Sequence, residues 1–282
     1  MFFNRVVLAA IAALLPSPAV AQQPPQSVSI PSGDSAMSGR LLAGVGEGAR
    51  PAIVLFNGFP AGPNIPRAAI QLQAAGYTVL LPQYRGTGSS EGVLSLANSR
   101  EDGAAAVAWL RGQGSAGVDP ARIGVFGVSF GGWVALQTAA ADADVRCAVA
   151  LVPADFGAIG SRWATDAEYL GLWKTDLDSI ATDPEAARFG SAGVDGFIQE
   201  AIAGQAEFGL PARAAAFSDR PVFVAGGRQD PATPFAQHYV PLVEALRVAG
   251  APFAALEFQG GHNPSEATAA AIGFVERACF PE

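Results

Sequence analysis

Arg122-Ile123-Gly124-Val125-Phe126-Gly127-Val128-Ser129-Phe130-Gly131-Gly132 decides the fold. An apolar run, 122–127, ends directly in Gly-x-Ser-x-Gly, and the residues that follow, 130–141, suit a helix. A serine between a buried strand and a helix sits in a sharp, strained turn that lifts its hydroxyl out of the sheet. The glycines answer a steric need, because side chains beside such a turn would collide with the adjoining strand and helix. The helix that begins after Ser129 also aims its positive end at negative charge developing near the hydroxyl. A serine serving only the turn is the competing reading, and the strand, turn and helix context argues against it.

Outward from this stretch, 52–57, 78–84, 145–152, 221–225 and 254–258 are further short apolar runs with Gly or Pro at their ends. Their hydrophobicity is continuous rather than alternating, which suits parallel strands buried on both faces. Helical stretches fall between them at 66–75, 100–111, 234–249 and 265–278, three of them stopped by Gly76, Gly112 and Gly250. Ser99 and Asp102 read as a capping box with Asp in the place of Glu. Strands alternating with helices imply right-handed crossovers and an α/β fold with a mostly parallel, doubly wound sheet. A hairpin is expected over 28–45, turning at Gly33-Asp34. Residues 153–219 break the alternation: they carry helix-like pieces and the aromatics Phe156, Trp163, Tyr169, Trp173 and Phe189, and read as an inserted helical cap.

A serine hydroxyl needs a base. The chain has two histidines. His262 stands in Gly260-Gly261-His262-Asn263-Pro264, beyond the last expected strand, where catalytic groups of open α/β sheets collect. His238 lies inside an expected helix, where a surface or packing role is ordinary. The carboxylate that would orient the imidazole is Asp230, in Gly227-Arg228-Gln229-Asp230-Pro231, with Asp155, after the preceding strand, as its rival. Ser129, Asp230, His262 is the chain order expected of this fold, and a turn or cap role is the alternative for either aspartate. Backbone N–H groups of Phe130 and Phe59 are the expected donors to an oxyanion, Phe59 lying in Asn57-Gly58-Phe59-Pro60-Ala61-Gly62.

These motifs resemble the α/β-hydrolase superfamily over nearly the whole chain. Asn57-Gly58-Phe59-Pro60 is similar to its His-Gly-x-Pro loop, with Asn where His is usual, and Tyr84-Arg85-Gly86-Thr87-Gly88-Ser89-Ser90 to its Arg-Gly-x-Gly-x-Ser segment. Val118-Asp119-Pro120-Ala121-Arg122-Ile123-Gly124 resembles the branch of dienelactone hydrolases and prolyl-oligopeptidase-like domains. Ser129 stands where dienelactone hydrolases carry Cys, so their lactone substrate is not carried over. In the resembling family the Arg85 segment is mostly a structural turn, with an arginine that binds a substrate carboxylate as the alternative. Trp163, Tyr169 and Trp173 either line an acyl pocket or form the core of the cap, since large rings of an insertion must be buried somewhere.

The formal charge is −8, Lys174 is the single lysine, and no basic run occurs, which argues against nucleic acid or an anionic membrane as partner. Arg5, the apolar residues 6–15 and Ala19-Val20-Ala21 read as a secretory signal covering 1–21, too short to span a bilayer, with 22–282 as the hydrolase domain. An exported chain meets an oxidising environment in which Cys147 and Cys279 can pair, two buried free thiols being the alternative. Two histidines and no tight cluster of ligand residues leave no expectation of a metal, and no phosphate-binding glycine loop calls for a cofactor. The residues therefore lead to an exported serine hydrolase, periplasmic or secreted, cleaving carboxylic esters of small acyl substrates. A peptidase or amidase of the prolyl-oligopeptidase-like type and a non-catalytic binding protein on the same fold are the alternatives.

Overall fold

The computed structural model describes residues 23–60 and 64–281; the expected signal segment 1–21, and Ala61 and Gly62 of the loop after the first buried strand, lie outside them. An antiparallel hairpin, β1 (Gln26–Ser32) and β2 (Ser35–Leu42), leads into β3 (Arg50–Phe56), α1 (Arg67–Ala74), β4 (Thr78–Pro82) and α2 (Leu96–Arg111). β5 (Val118–Val128), α3 (Phe130–Ala141) and β6 (Ala148–Leu151) follow. Four helices come next, α4 (Phe156–Trp163), α5 (Ala167–Ala181), α6 (Gly193–Ala203) and α7 (Gln205–Phe208). The chain then returns through β7 (Val222–Gly227), α8 (Phe235–Val248), β8 (Phe253–Phe258) and α9 (Ser265–Phe274).

The strands form one sheet in the order β1-β2-β4-β3-β5-β6-β7-β8, parallel from β4 to β8. This is the α/β-hydrolase fold with a helical insertion between β6 and β7. The continuous apolar runs are the central strands: β4, β6 and β7 are buried throughout, whereas the edge strand β8 is half exposed. Alternate residues serve opposite faces, as the two-residue period of a strand requires. Ala52, Val54 and Phe56 of β3 pack with α2, α3 and α8, and Ile53 and Leu55 pack with α1 and α9.

The insertion is fastened to the core by polar contacts with named owners. Trp133 Nε1 and Gln137 Nε2 of α3 both donate to the carbonyl of Phe208, at 2.8 and 3.1 Å. The Glu200 carboxylate of α6 accepts from the backbone N–H groups of Leu96 and Ala97, at 2.9 and 2.8 Å, satisfying orphan donors at the N-terminus of α2. Trp163, Tyr169 and Trp173 pack on one another, with ring centroids 5.7 and 6.3 Å apart, and Trp163 and Tyr169 are buried. Trp163 and Tyr169 are core of the insertion, and the half-buried Trp173 packs against them.

Ser99 and Asp102 do not cap α2. The helix starts at Leu96, and Ser95 Oγ accepts from Asn98 N–H at 3.0 Å, so the capping serine lies four residues earlier. Ser99 bonds back to the Ser95 carbonyl at 2.8 Å. Asp102 is buried and takes Ser32 Oγ at 2.6 Å together with Arg85 N–H and Nε–H at 2.8 and 2.6 Å. Arg85 also pairs with Glu101 at 2.7 Å. Arg85 therefore ties the loop after β4 to α2, and Asp102 ties α2 to the hairpin, a structural role for both.

Cys147, just before β6, is joined to Cys279, beyond α9, with Cα atoms 5.1 Å apart.

Candidate active site

Ser129 forms the turn between β5 and α3 with φ 56° and ψ −120°, a left-handed conformation uncommon for a residue with a side chain. Glycine flanks it by necessity. A Cβ on Gly127 would overlap the carbonyl of Gly131, and one on Gly131 would overlap the carbonyl of Phe56. Such a backbone costs on the order of 1–3 kcal/mol, which surrounding contacts must offset. Ser129→Gly is therefore expected to be more stable than Ser129→Ala by about 1 kcal/mol, part of the strain relief being lost to glycine's freedom in the unfolded chain. Urea midpoints of the two variants measure this, and equal midpoints would mean that the turn is unstrained.

The structure brings Ser129, His262 and Asp230 together. Each leaves the carboxyl end of its strand: Ser129 after β5, Asp230 after β7 and His262 after β8. His262 Nε2 lies 2.8 Å from Ser129 Oγ, and His262 Nδ1 lies 2.8 Å from Asp230 Oδ2. Both separations are within proton-transfer reach. The Asp230 side chain is 1% exposed and that of His262 32%, so the carboxylate is sealed while the imidazole meets solvent. Burial alone would raise the Asp230 pKa, but hydrogen bonds from His262 and Thr233 outweigh it and hold the carboxyl below its ordinary value. Thr233 escaped the sequence reading. It gives Asp230 its hydroxyl at 2.6 Å and its backbone N–H at 2.9 Å. The available signal was an aspartate three residues before a threonine in a proline-containing turn, an arrangement that favours bonds from side chain to local backbone.

Asp155 takes no part in this chain. It caps α4, and its carboxylate accepts from Gly157, Ala158 and Leu210 N–H at 2.9, 3.4 and 3.2 Å. The N–H groups of Phe59 and Phe130, the expected oxyanion donors, have no acceptor among the described residues. Phe130 is the first residue of α3, where helix geometry leaves N–H groups unpaired. The rings of Phe59 and Phe130 lie 5.9 Å apart, and Phe130 packs on Phe156 and Trp133 at 5.5 and 5.6 Å. The loop bearing Phe59 is held by Tyr84 Oη, which donates to the Asn57 carbonyl at 2.9 Å, and its Phe59–Pro60 peptide is cis. A cleft of about 520 Å³ borders this loop. Asn57, Pro60, Gln83, Arg40, Asp183 and Glu185 stand on its wall, while Ser129 and His262 do not.

His238 is buried in α8, and its Nδ1 accepts the backbone N–H of Asp155 at 3.0 Å. Burial lowers its pKa to about 4; Asp230 works against that shift, and His262 and Arg162 add to it. Because the folded value lies below the unfolded one of about 6.5, the unfolded chain binds more protons between them. Stability is then fully present above about pH 6.5 and falls as pH drops toward 4, by about 2–3 kcal/mol at pH 4.5 from this group. Urea unfolding at pH 7 and pH 4.5 checks it: His238→Asn should lack this component, and an equal loss in both proteins would contradict it.

The family model of the X-Pro dipeptidyl-peptidases (S15 family) matches residues 21–173. The thiohydrolase apmlB of Arthrinium phaeospermum is 34% identical over 162 residues, 53% of this chain and 51% of its own length. The chain spans about half or less of the length of the curated relatives it matches, from 32% to 51%. Pyrococcus horikoshii acylaminoacyl peptidase superposes with a TM-score of 0.69 at 15% identity, over 93% of this chain and 43% of that one. The Pyrococcus furiosus esterase PF2001 superposes with a TM-score of 0.66 at 20% identity, over 91% of this chain and 92% of that one. At these identities the solved structures speak to the fold. The family model covers more than half of the residues, and on that ground the chain belongs to the X-Pro dipeptidyl-peptidase (S15) family and is an enzyme of the serine-hydrolase type.

Proposed function

We propose that the chain cleaves amide bonds of short peptides or aminoacyl conjugates through an acyl-enzyme on Ser129. The carrying observation is the unbroken chain of hydrogen bonds from Ser129 Oγ through His262 to Asp230. In this reading His262 Nε2 takes the proton of Ser129 as the hydroxyl attacks the carbonyl, then returns it to the leaving amine. Asp230 fixes the imidazole tautomer and stabilises the imidazolium, while Phe59 and Phe130 N–H receive the oxyanion. A water activated by His262 then releases the acid. Membership of a peptidase family supports the amide substrate.

Ester or thioester cleavage by the same residues is the second reading. It is favoured by the thiohydrolase relatives aneE and apmlB, 38% and 34% identical over the aligned stretches. Export belongs to the proposal as well, and the Cys147–Cys279 bridge suits an oxidising compartment.

The test is labelling by a fluorophosphonate probe, comparing wild type with Ser129→Ala, followed by a panel of aminoacyl and dipeptidyl anilides, p-nitrophenyl esters and acyl thioesters. Labelling that vanishes in the variant, with anilide turnover leading the panel in kcat/KM, is the expected result. Turnover confined to esters or thioesters would move the second reading to the front. Folded wild type that takes no label would overturn the activated serine in either reading.

A further inference from the structure

The second histidine of the chain stands outside the hydrogen-bonded chain that ends on Ser129, yet it is bonded to the turn on which that serine rests. We propose that His238 is a positioning residue: its unprotonated Nδ1 holds the turn between Leu151 and Phe156 in the shape that supports the nucleophile. This rests on the reading of Ser129 as nucleophile.

Ser129 N–H donates to the Leu151 carbonyl at 2.9 Å, and Ala154 N–H donates to the Ser129 carbonyl at 3.1 Å, so the turn grips the serine backbone on both sides. Val152 N–H donates to Ala225 of β7 at 2.8 Å. Thr233, whose hydroxyl lies 2.6 Å from Asp230 Oδ2, is also 3.5 Å from the Val152 carbonyl. The next N–H along the turn is that of Asp155, and its acceptor is His238 Nδ1 at 3.0 Å. The turn thus touches the backbone of one member of the site and a bonding partner of another.

Its own conformation is costly. Val152 has φ 43°, a left-handed value that a β-branched residue adopts only under constraint, and it is buried. A backbone of this kind persists when neighbouring contacts over-determine it. Loss of the His238 acceptor would leave Asp155 N–H buried without a partner and free the turn to relax, and Ser129 would move with it. A misplacement of about 1 Å can cost on the order of 100-fold in rate.

The protonation state follows from the same bond. Asp155 N–H can only donate, so Nδ1 must be bare and the ring proton must sit on Nε2. The charged and titratable groups facing the ring are Asp230, which favours its protonation, and His262 and Arg162, which oppose it. The Asp155 carboxylate, on the residue whose N–H is bonded, is taken up by Gly157, Ala158 and Leu210 N–H.

The experiment compares His238→Leu, which removes the acceptor, with His238→Asn, whose side-chain oxygen can stand in for Nδ1. Both are assayed for kcat and KM on p-nitrophenyl acetate and for the rate of fluorophosphonate labelling. His238→Leu is expected to lose about 10- to 100-fold in kcat and in labelling rate, with KM within about 3-fold, and His238→Asn to recover to within about 3-fold of wild type. Folded His238→Leu with wild-type kcat would overturn the proposal, as would His238→Asn no better than His238→Leu. Nitrogen NMR of wild type labelled at its two histidines supplies a reading that needs neither variant nor activity. One imidazole should keep a bare Nδ1 and a protonated Nε2 from pH 8 to pH 5. Nδ1 protonated at neutral pH on both imidazoles would sink the proposal even if Ser129 labels normally, whereas failure of labelling in wild type would bear on Ser129 and leave the NMR result standing.

Discussion

Asp230→Asn lowers kcat by about 10⁴-fold while leaving the protein folded, and Asp155→Asn lowers it by less than about 10-fold while destabilising the protein. The contrast follows from what each carboxylate touches. Asp230 Oδ2 faces His262 Nδ1 at 2.8 Å, and the amide of Asn can present N–H there in place of an acceptor. The imidazole would then carry its proton on Nε2 and meet Ser129 as a donor, the tautomer that cannot take the hydroxyl proton. The positive charge that develops on His262 would also lose its counter-charge. Asp155 faces three backbone N–H groups and no imidazole N–H. Its amide still offers one oxygen, so the cost is the weakening of charge-assisted bonds at the cap of α4, typically about 1 kcal/mol. Measuring kcat on a p-nitrophenyl ester together with urea midpoints separates the two effects. Equal losses of kcat in both variants would remove Asp230 from the role proposed for it.

The two aspartates also mark the limit of what the residues alone disclose. Both follow a strand, both precede a helix, and both sit beside proline or alanine in loops that a sequence cannot close in space. Chain order favours Asp230, and Thr233 shows why its carboxyl is held in place, but the three N–H groups on Asp155 come partly from Leu210, 55 residues away. Much of the frame was legible because parallel strands buried on both faces leave continuous apolar runs, and the turn at Ser129 leaves glycines that nothing larger could replace. The ends of elements were less legible. A serine capped α2 as expected of a helix start, but Ser95 does so and not Ser99, since the choice depends on Glu200 bonding Leu96 and Ala97 across 104 and 103 residues. The bond made by His238 was hidden for the same reason: its partner is the backbone N–H of Asp155, which carries no mark in a sequence.

Removing the bridge between Cys147 and Cys279 lowers stability by about 5 kcal/mol in the chain-entropy account, with about 2–5 kcal/mol the range seen for native disulfides. The link closes 132 residues, which include β6, the whole insertion, β7 and β8, so it restricts the unfolded chain over nearly half its length. Both cysteines are buried, and Cys147 precedes β6 at the end of the strands opposite to Ser129. Thermal melts of Cys147→Ala/Cys279→Ala against wild type should show a drop of about 10 °C or more, a few degrees for each kcal/mol in a domain of this size. Wild type melted with a thiol reductant should fall by a similar amount, because the constraint and not the sulfur atoms supplies the effect. kcat measured well below the lower midpoint should be unchanged, since β6 carries the cysteine at one end and the turn beneath Ser129 at the other, with its ladder to β5 and β7 intact between them. A reduced protein with the wild-type midpoint would show that the bridge does not constrain the unfolded chain. A fall in kcat at that temperature would instead mean that the two ends of β6 are mechanically coupled, and the turn at Val152 is where that coupling would reach Ser129.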